Sequence, residues 1–141
     1  MQEIEILKEI NKDAKMGMDS LTMVTKKVQD EKFKKLLNNQ HDEYQNIFDR
    51  TQELLVQENK NIQDIPTMQK VMAWTGIQMN TLNDKSNSKL SELLIQGNDM
   101  GVIKGTKLLN ESNFTTPEIE NLLSDFVRIQ EKNIDDLKKF L

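Results

Sequence analysis

Apolar residues recur along this chain at intervals of three and four, and strict alternation is scarce, so the pattern predicts helices rather than strands. The first helix is expected over about Gln2–Val28, with Ile4, Leu7, Ile10, Ala14, Leu21, Thr25 and Val28 facing inward. "VQDEKF" breaks the periodicity, and Asp30 is the expected N-cap of a second helix over Glu31–Asn59. Its inward face reads Phe33, Leu36, Leu37, Gln40, Tyr44, Ile47, Phe48, Thr51, Leu54 and Leu55. A connector, "NKNIQDIPT", leads through Pro66 into a shorter helix over Thr67–Leu82 carrying Met68, Val71, Met72, Thr75, Met79 and Leu82. "NDKSNS" has turn composition and precedes a helix over Lys89–Asn110. "ESNFTTPE" is the next break, where Thr115 or Thr116 is expected to cap and Pro117 to open the first turn. The last helix runs to the C-terminus, with Ile119, Leu122, Leu123, Phe126, Gln130, Asn133, Ile134, Leu137 and Phe140 inward.

The two long helical pairs resemble one another. "KMGMDSLT" (15–22) aligns with "DMGVIKGT" (99–106), 84 positions on. After a slip of two residues at the loop, "FKKLL" (33–37) falls on "IENLL" (119–123) and Leu54-Leu55 on Phe140-Leu141. Duplication and shared periodicity both account for this. The predicted architecture is one all-α domain over 1–141: a hairpin over 2–59, a crossover over 60–88 with its own helix, and a hairpin over 89–141. The crossover is too long for a turn and long enough to span the bundle, which leaves the second and third long helices parallel.

That layout resembles the ferritin-like superfamily of four-helix bundles. Within it, "LIQGNDMGV" (94–102) and "IQEKNIDDLKKFL" (129–141) are similar to a family of uncharacterised bacterial proteins with a Met-Ile-x-His-His pattern in the third helix and Gln-x-x-Glu-Ile in the last. Here Gly97 and Asn98 stand where the histidine pair would fall, which counts against a metal role for that segment.

The residues themselves point the same way. A ferritin-like di-iron site takes a Glu from each of two helices and Glu-x-x-His from each of the others. This chain offers Asn38-x-x-His41 and Gln130-x-x-Asn133, with Met16, Gly17 and Met18 or Met100 and Gly101 where glutamates would sit. Its one histidine, His41, lies on the flank of its helix, as a boundary residue does. No metal and no cofactor are therefore expected, and the eight methionines read as core filling rather than copper ligands. Gln40, Gln130 and Asn133 instead form an expected polar layer inside the bundle: a structural network, or a site for a small polar ligand.

Gly97, Gly101 and Gly105 form one inward stripe beside that layer, although each glycine inside a helix costs about 1 kcal/mol against alanine. Either a bulky residue such as Tyr44 or Phe48 reaches across and packs closely on the stripe, or the space stays open as a small-ligand site. Trp74 and Ile77 point away from the Met68–Met79 stripe and are read as an interface, which predicts a homodimer; the alternative is packing within the chain on connector residues such as Ile62 or Ile65.

Charge narrows the partners. The net charge of −4, with no basic cluster larger than a Lys-Lys pair, argues against nucleic acid. No apolar run reaches the ~20 residues of a membrane span. The amphipathic, acidic start lacks the features of a signal peptide, and with no cysteine the expected compartment is the cytoplasm. The expected role is non-enzymatic: a binding, structural or stress-related module. The alternatives are a metal protein whose site forms across subunits and a coat or scaffold component.

Overall fold

The computed structural model describes residues 2–58, 70 and 82–141. Trp74, Ile77, Ile62, Ile65, Met68, Met72 and Met79 lie outside the described residues, as does the helix expected over Thr67–Leu82 except for Lys70 and Leu82. Among the described residues there are four long helices and no strand: α1 (Glu3–Thr25), α2 (Glu31–Gln57), α3 (Asn87–Glu111) and α4 (Pro117–Leu137), closed by a 3-10 turn over Lys138–Phe140.

Local chemistry sets the helix ends. Asp30 caps α2 as expected, its carboxylate accepting from the Phe33 N–H at 2.8 Å. Ser86 does the same for α3 by accepting from Lys89 N–H, which starts that helix two residues before its expected boundary. α1 ends at Thr25, three residues short of the expected Val28, yet Val28 is still buried in the turn. At α4 the expected threonine cap is replaced. Thr116 occupies the cap position without a side-chain bond, and the Glu3 carboxylate of α1 accepts from the Thr115 and Thr116 N–H groups. A carboxylate suits the positive end of a helix, so this contact ties the start of α1 to the start of α4.

The helix directions follow from side-chain pairs. α1 and α2 are antiparallel, since Asn11 donates to Thr51 Oγ1 at 2.8 Å while Gly17 faces Tyr44. α3 and α4 are antiparallel, with Ser91 donating to Leu137 O at 2.5 Å and Gly105 facing Val127. Between the hairpins, Lys104 of α3 meets Glu9 and Asp13 of α1, and α2 meets α4 through Glu43–Lys132 at 3.3 Å and Arg50–Asp125 at 3.1 Å. Phe33 stacks on Phe140 with ring centroids 4.5 Å apart. These contacts make α2 and α3 parallel, so Glu58 and Ser86 lie at opposite ends of the bundle.

The core matches the periodicity closely. On α2 and α4 the buried residues include Phe33, Leu37, Gln40, Tyr44, Ile47, Thr51, Leu55, Ile119, Leu122, Leu123, Phe126, Gln130, Asn133 and Leu137, all expected inward, while the expected Leu36, Phe48, Leu54, Ile134 and Phe140 are only partly buried. Ile6, Val24 and Val127 are buried as well, beyond the expected faces. The hairpin similarity extends to burial. Each of Phe33, Leu37, Gln40, Tyr44, Ile47 and Thr51 has a buried counterpart 86 positions on, and Ile6, Leu7, Ile10, Asp13, Ala14, Gly17 and Leu21 each have one 84 positions on. The pairing lapses at the C-terminus, where Leu55 is buried and Leu141 exposed.

Gly105 is held by a stiff neighbour. A Cβ placed there would lie 2.5 Å from Val127 Cγ2, and a β-branched side chain on a helix has little rotamer freedom to yield. Gly105→Ala gains about 1 kcal/mol of helix propensity but overpacks by about 1–3 kcal/mol, so a net loss of stability is expected. Urea denaturation checks this. Val127→Ala should remove most of the overpacking in the double variant, with a coupling energy of about 1 kcal/mol or more.

Candidate functional site

The middle of the bundle is polar. α2 supplies Gln40 and, one turn on, Tyr44; α4 supplies Gln130 and Asn133; α3 supplies Asn98; α1 supplies Asp13. All six are at least nine-tenths buried. The Tyr44 hydroxyl donates to Asn98 Oδ1 at 2.6 Å, and Asn98 Nδ2 donates to Leu94 O at 2.8 Å, so that amide's orientation is fixed by its own helix.

The other amides differ. Neither the nitrogen nor the oxygen of Gln40, Gln130 or Asn133 has a hydrogen-bond partner among the described residues, and Asp13 Oδ1 also lacks one. Asn133 and Gln130 lie near the Tyr44 hydroxyl without being aligned into hydrogen bonds with it. Burial pushes the Tyr44 phenol well above its ordinary value, these two amides partly oppose the rise, and the Glu43 and Asp13 charges add to it. Tyr44 is therefore a neutral donor, not a base.

Glycines make room for this layer. A Cβ on Gly101 would sit 2.1 Å from Gln130 Nε2, so the amide occupies the volume that any other side chain would fill. A Cβ on Gly17 would lie 3.1 Å from Tyr44 Cζ. Tyr44 also meets Phe126 edge-on, with ring centroids 5.8 Å apart. Gly17 and Gly101 are 84 positions apart and Tyr44 and Gln130 are 86 apart, so the two hairpins repeat one arrangement: a glycine on the first helix seats a large side chain from the second.

The residues singled out from sequence are thus partly brought together. Gln40, Gln130, Asn133, Gly97, Gly101 and Gly105 are all buried, and Gly101 directly faces Gln130. The side chains that fill the stripe are Gln130 and Val127 of α4, not Tyr44 or Phe48, because α3 pairs with α4; Tyr44 fills the equivalent space at Gly17. Asp13, Gly17 and Asn98 were not expected as members. Gly17 was legible as the counterpart of Gly101 in the aligned hairpins, whereas Asp13 carries no signal in a charge-rich helix. His41 is a partly exposed flank residue as expected, 4.0 Å from the exposed Asp42 carboxylate.

Beside the polar layer lies an ion cluster. Lys104 Nζ is 2.5 Å from Glu9 Oε2 and 2.8 Å from Asp13 Oδ2, and Lys12 reaches Glu9 Oε1 at 2.9 Å. Burial pushes the Asp13 carboxyl above its ordinary value, with Lys104 opposing. Burial also works against Glu9, but Lys104 and Lys12 outweigh it and hold that carboxyl below the usual range. Lys104 is held above its usual value because the two carboxylates outweigh its own burial.

Lys104→Met leaves Asp13 buried without its cation. Lys104 is 40% exposed, so solvent screening reduces the expected loss at pH 7 to about 1–2 kcal/mol. An acid whose folded-state pKa is raised costs stability above that pKa, and the cost vanishes below its unfolded value. Removing Lys104 raises Asp13 further and takes away the larger of the two causes that lower Glu9, leaving Lys12. The deficit of the variant should therefore shrink as pH falls from 7 toward about 4, measured by urea denaturation at each pH.

No family model, no curated protein and no solved structure matches the chain.

Proposed function

We propose that this chain is a ferritin-like helical bundle with no catalytic role, a binding module whose centre carries amides where a dinuclear metal site would stand. Its antiparallel hairpins, with α2 parallel to α3, support the ferritin-like reading. The observation that carries the proposal is the layer of Gln40, Gln130 and Asn133, fully buried, with six polar atoms lacking a protein partner among the described residues. Each such atom costs about 1–3 kcal/mol when left unpaired. A layer retained for stability alone would be bonded within itself or bridged by buried water. A layer that holds a small polar molecule leaves its donors and acceptors free for it. Amides also present both a donor and an acceptor while remaining uncharged, which suits neutral polar ligands in a low-dielectric core.

Two measurements test this reading. Gln130→Met and Gln40→Met keep side-chain length and remove the polar atoms, and each should stabilise the ligand-free protein by about 1 kcal/mol. A loss of 1–3 kcal/mol would place the amides in a structural network and end the binding reading.

The second concerns metal. Among the described residues no three of His, Cys, Asp or Glu gather as a metal-binding group. Protein purified without chelator from medium containing iron, manganese, zinc and copper should carry well under one ion per chain by plasma mass spectrometry. About one ion per chain, lost in His41→Ala or on dissociation of an oligomer, would favour a metal site formed across subunits instead.

A further inference from the structure

A groove of about 480 Å³ runs along the outer seam of α1 and α2, lined by Leu21, Thr22, Thr25 and Lys26 from α1 and Lys34, Asn38 and His41 from α2. It is separate from the polar centre, and none of its lining residues is acidic, in a protein whose net charge is −4. The threonine hydroxyls have already given their protons to backbone carbonyls, Thr22 to Met18 O at 3.0 Å and Thr25 to Leu21 O at 2.6 Å. The donors left facing the groove are the Lys26 and Lys34 ammonium groups, the Asn38 amide and the His41 ring. Among the described residues, carboxylates compete for them at the rim. Glu31, 88% exposed, stands 3.9 Å from Lys34, and Asp42, 84% exposed, 4.0 Å from His41. The threonine methyls and the lysine stems, over the buried Leu21, supply an apolar floor.

The helical hairpin does not itself require this lining. At the corresponding positions of the second hairpin, Lys26, Lys34 and His41 are replaced by Asn110, Glu120 and Val127. The cations belong to this groove, not to the repeated architecture. Lys26 also borders a second groove of about 660 Å³ with Lys27 and Lys85, so the positive field continues past the turn, with the capping Asp30 as its one acid. The carbonyls at the end of α1 oppose an anion here, and Lys26, the C-cap, and Lys27 follow directly on that end.

We infer that the α1–α2 groove binds a small organic anion, with its phosphate or carboxylate between Lys26 and Lys34 and its apolar body along Leu21. The volume falls within the range of small-molecule sites. Charge-assisted bonds from two ammonium groups give the head group its preference, and the floor rewards an alkyl body.

Titration of 15N-labelled full chain at low salt with inorganic phosphate, hexanoate and hexyl phosphate tests the assignment. Saturable shifts confined to residues 21–41 are expected, with millimolar affinity for phosphate and tighter binding of hexyl phosphate. Shifts with phosphate and hexyl phosphate only would identify a phosphate head group, and with hexanoate as well, a general anion site; both support the inference. Lys26→Gln/Lys34→Gln, which changes side chains at the groove's rim and should fold as the wild type does by circular dichroism, should weaken binding about tenfold or more. Lys107→Gln on α3 should leave it unchanged. Absence of saturable shifts, or equal weakening by Lys107→Gln, would overturn the inference.

Discussion

The middle of this bundle is built around one constraint: a buried amide must be given space and must be given partners. Helix α3 meets the first half with Gly101, whose missing side chain is replaced by the Gln130 amide from α4. Helix α1 does the same with Gly17 and the Tyr44 ring. The glycines sacrifice helix propensity, and the return is a central layer that apolar packing would otherwise close. Only part of the second requirement is met among the described residues. The Tyr44 hydroxyl donates to Asn98, while Gln40, Gln130 and Asn133 lack a partner among the described residues.

Contacts on both sides of this layer hold the four helices together. Toward one end, Phe33 stacks on Phe140 and Ser91 locks onto the last turn of α4. Toward the other, Glu3 takes the exposed N–H groups at the start of α4, and Asn11 bonds Thr51 across α1 and α2. The Glu9–Lys104–Asp13 cluster joins the first hairpin to the second at mid-height, where burial makes the lysine necessary to Asp13. Polar contacts thus set the register between hairpins, and apolar area supplies the bulk of the stabilisation.

The groove on the α1–α2 seam is independent of this centre. Its lysines sit where the second hairpin has Asn110 and Glu120, so the two halves share a packing plan while differing in surface chemistry. That is the pattern expected when the core is held by periodicity and the outside is free to take on function.

The four long helices, the main part of their inward faces and the burial of Gln40, Gln130 and Asn133 were legible in the sequence, because burial on a helix follows a period that the residue order displays. So was Asp30 as a cap, since its chemistry is local. The pairing of helices was not. Gly101 could be read as a close-packing position, but its occupant was Gln130 and not Tyr44, because which helix lies opposite is decided by the docking of the hairpins. The Glu3 cap at α4, the Lys104 bridge to Asp13 and the cationic groove each join residues from different helices. A periodic sequence determines which face of a helix turns inward. Only the tertiary structure decides what that face meets, because contacts between distant segments depend on how all four helices pack at once.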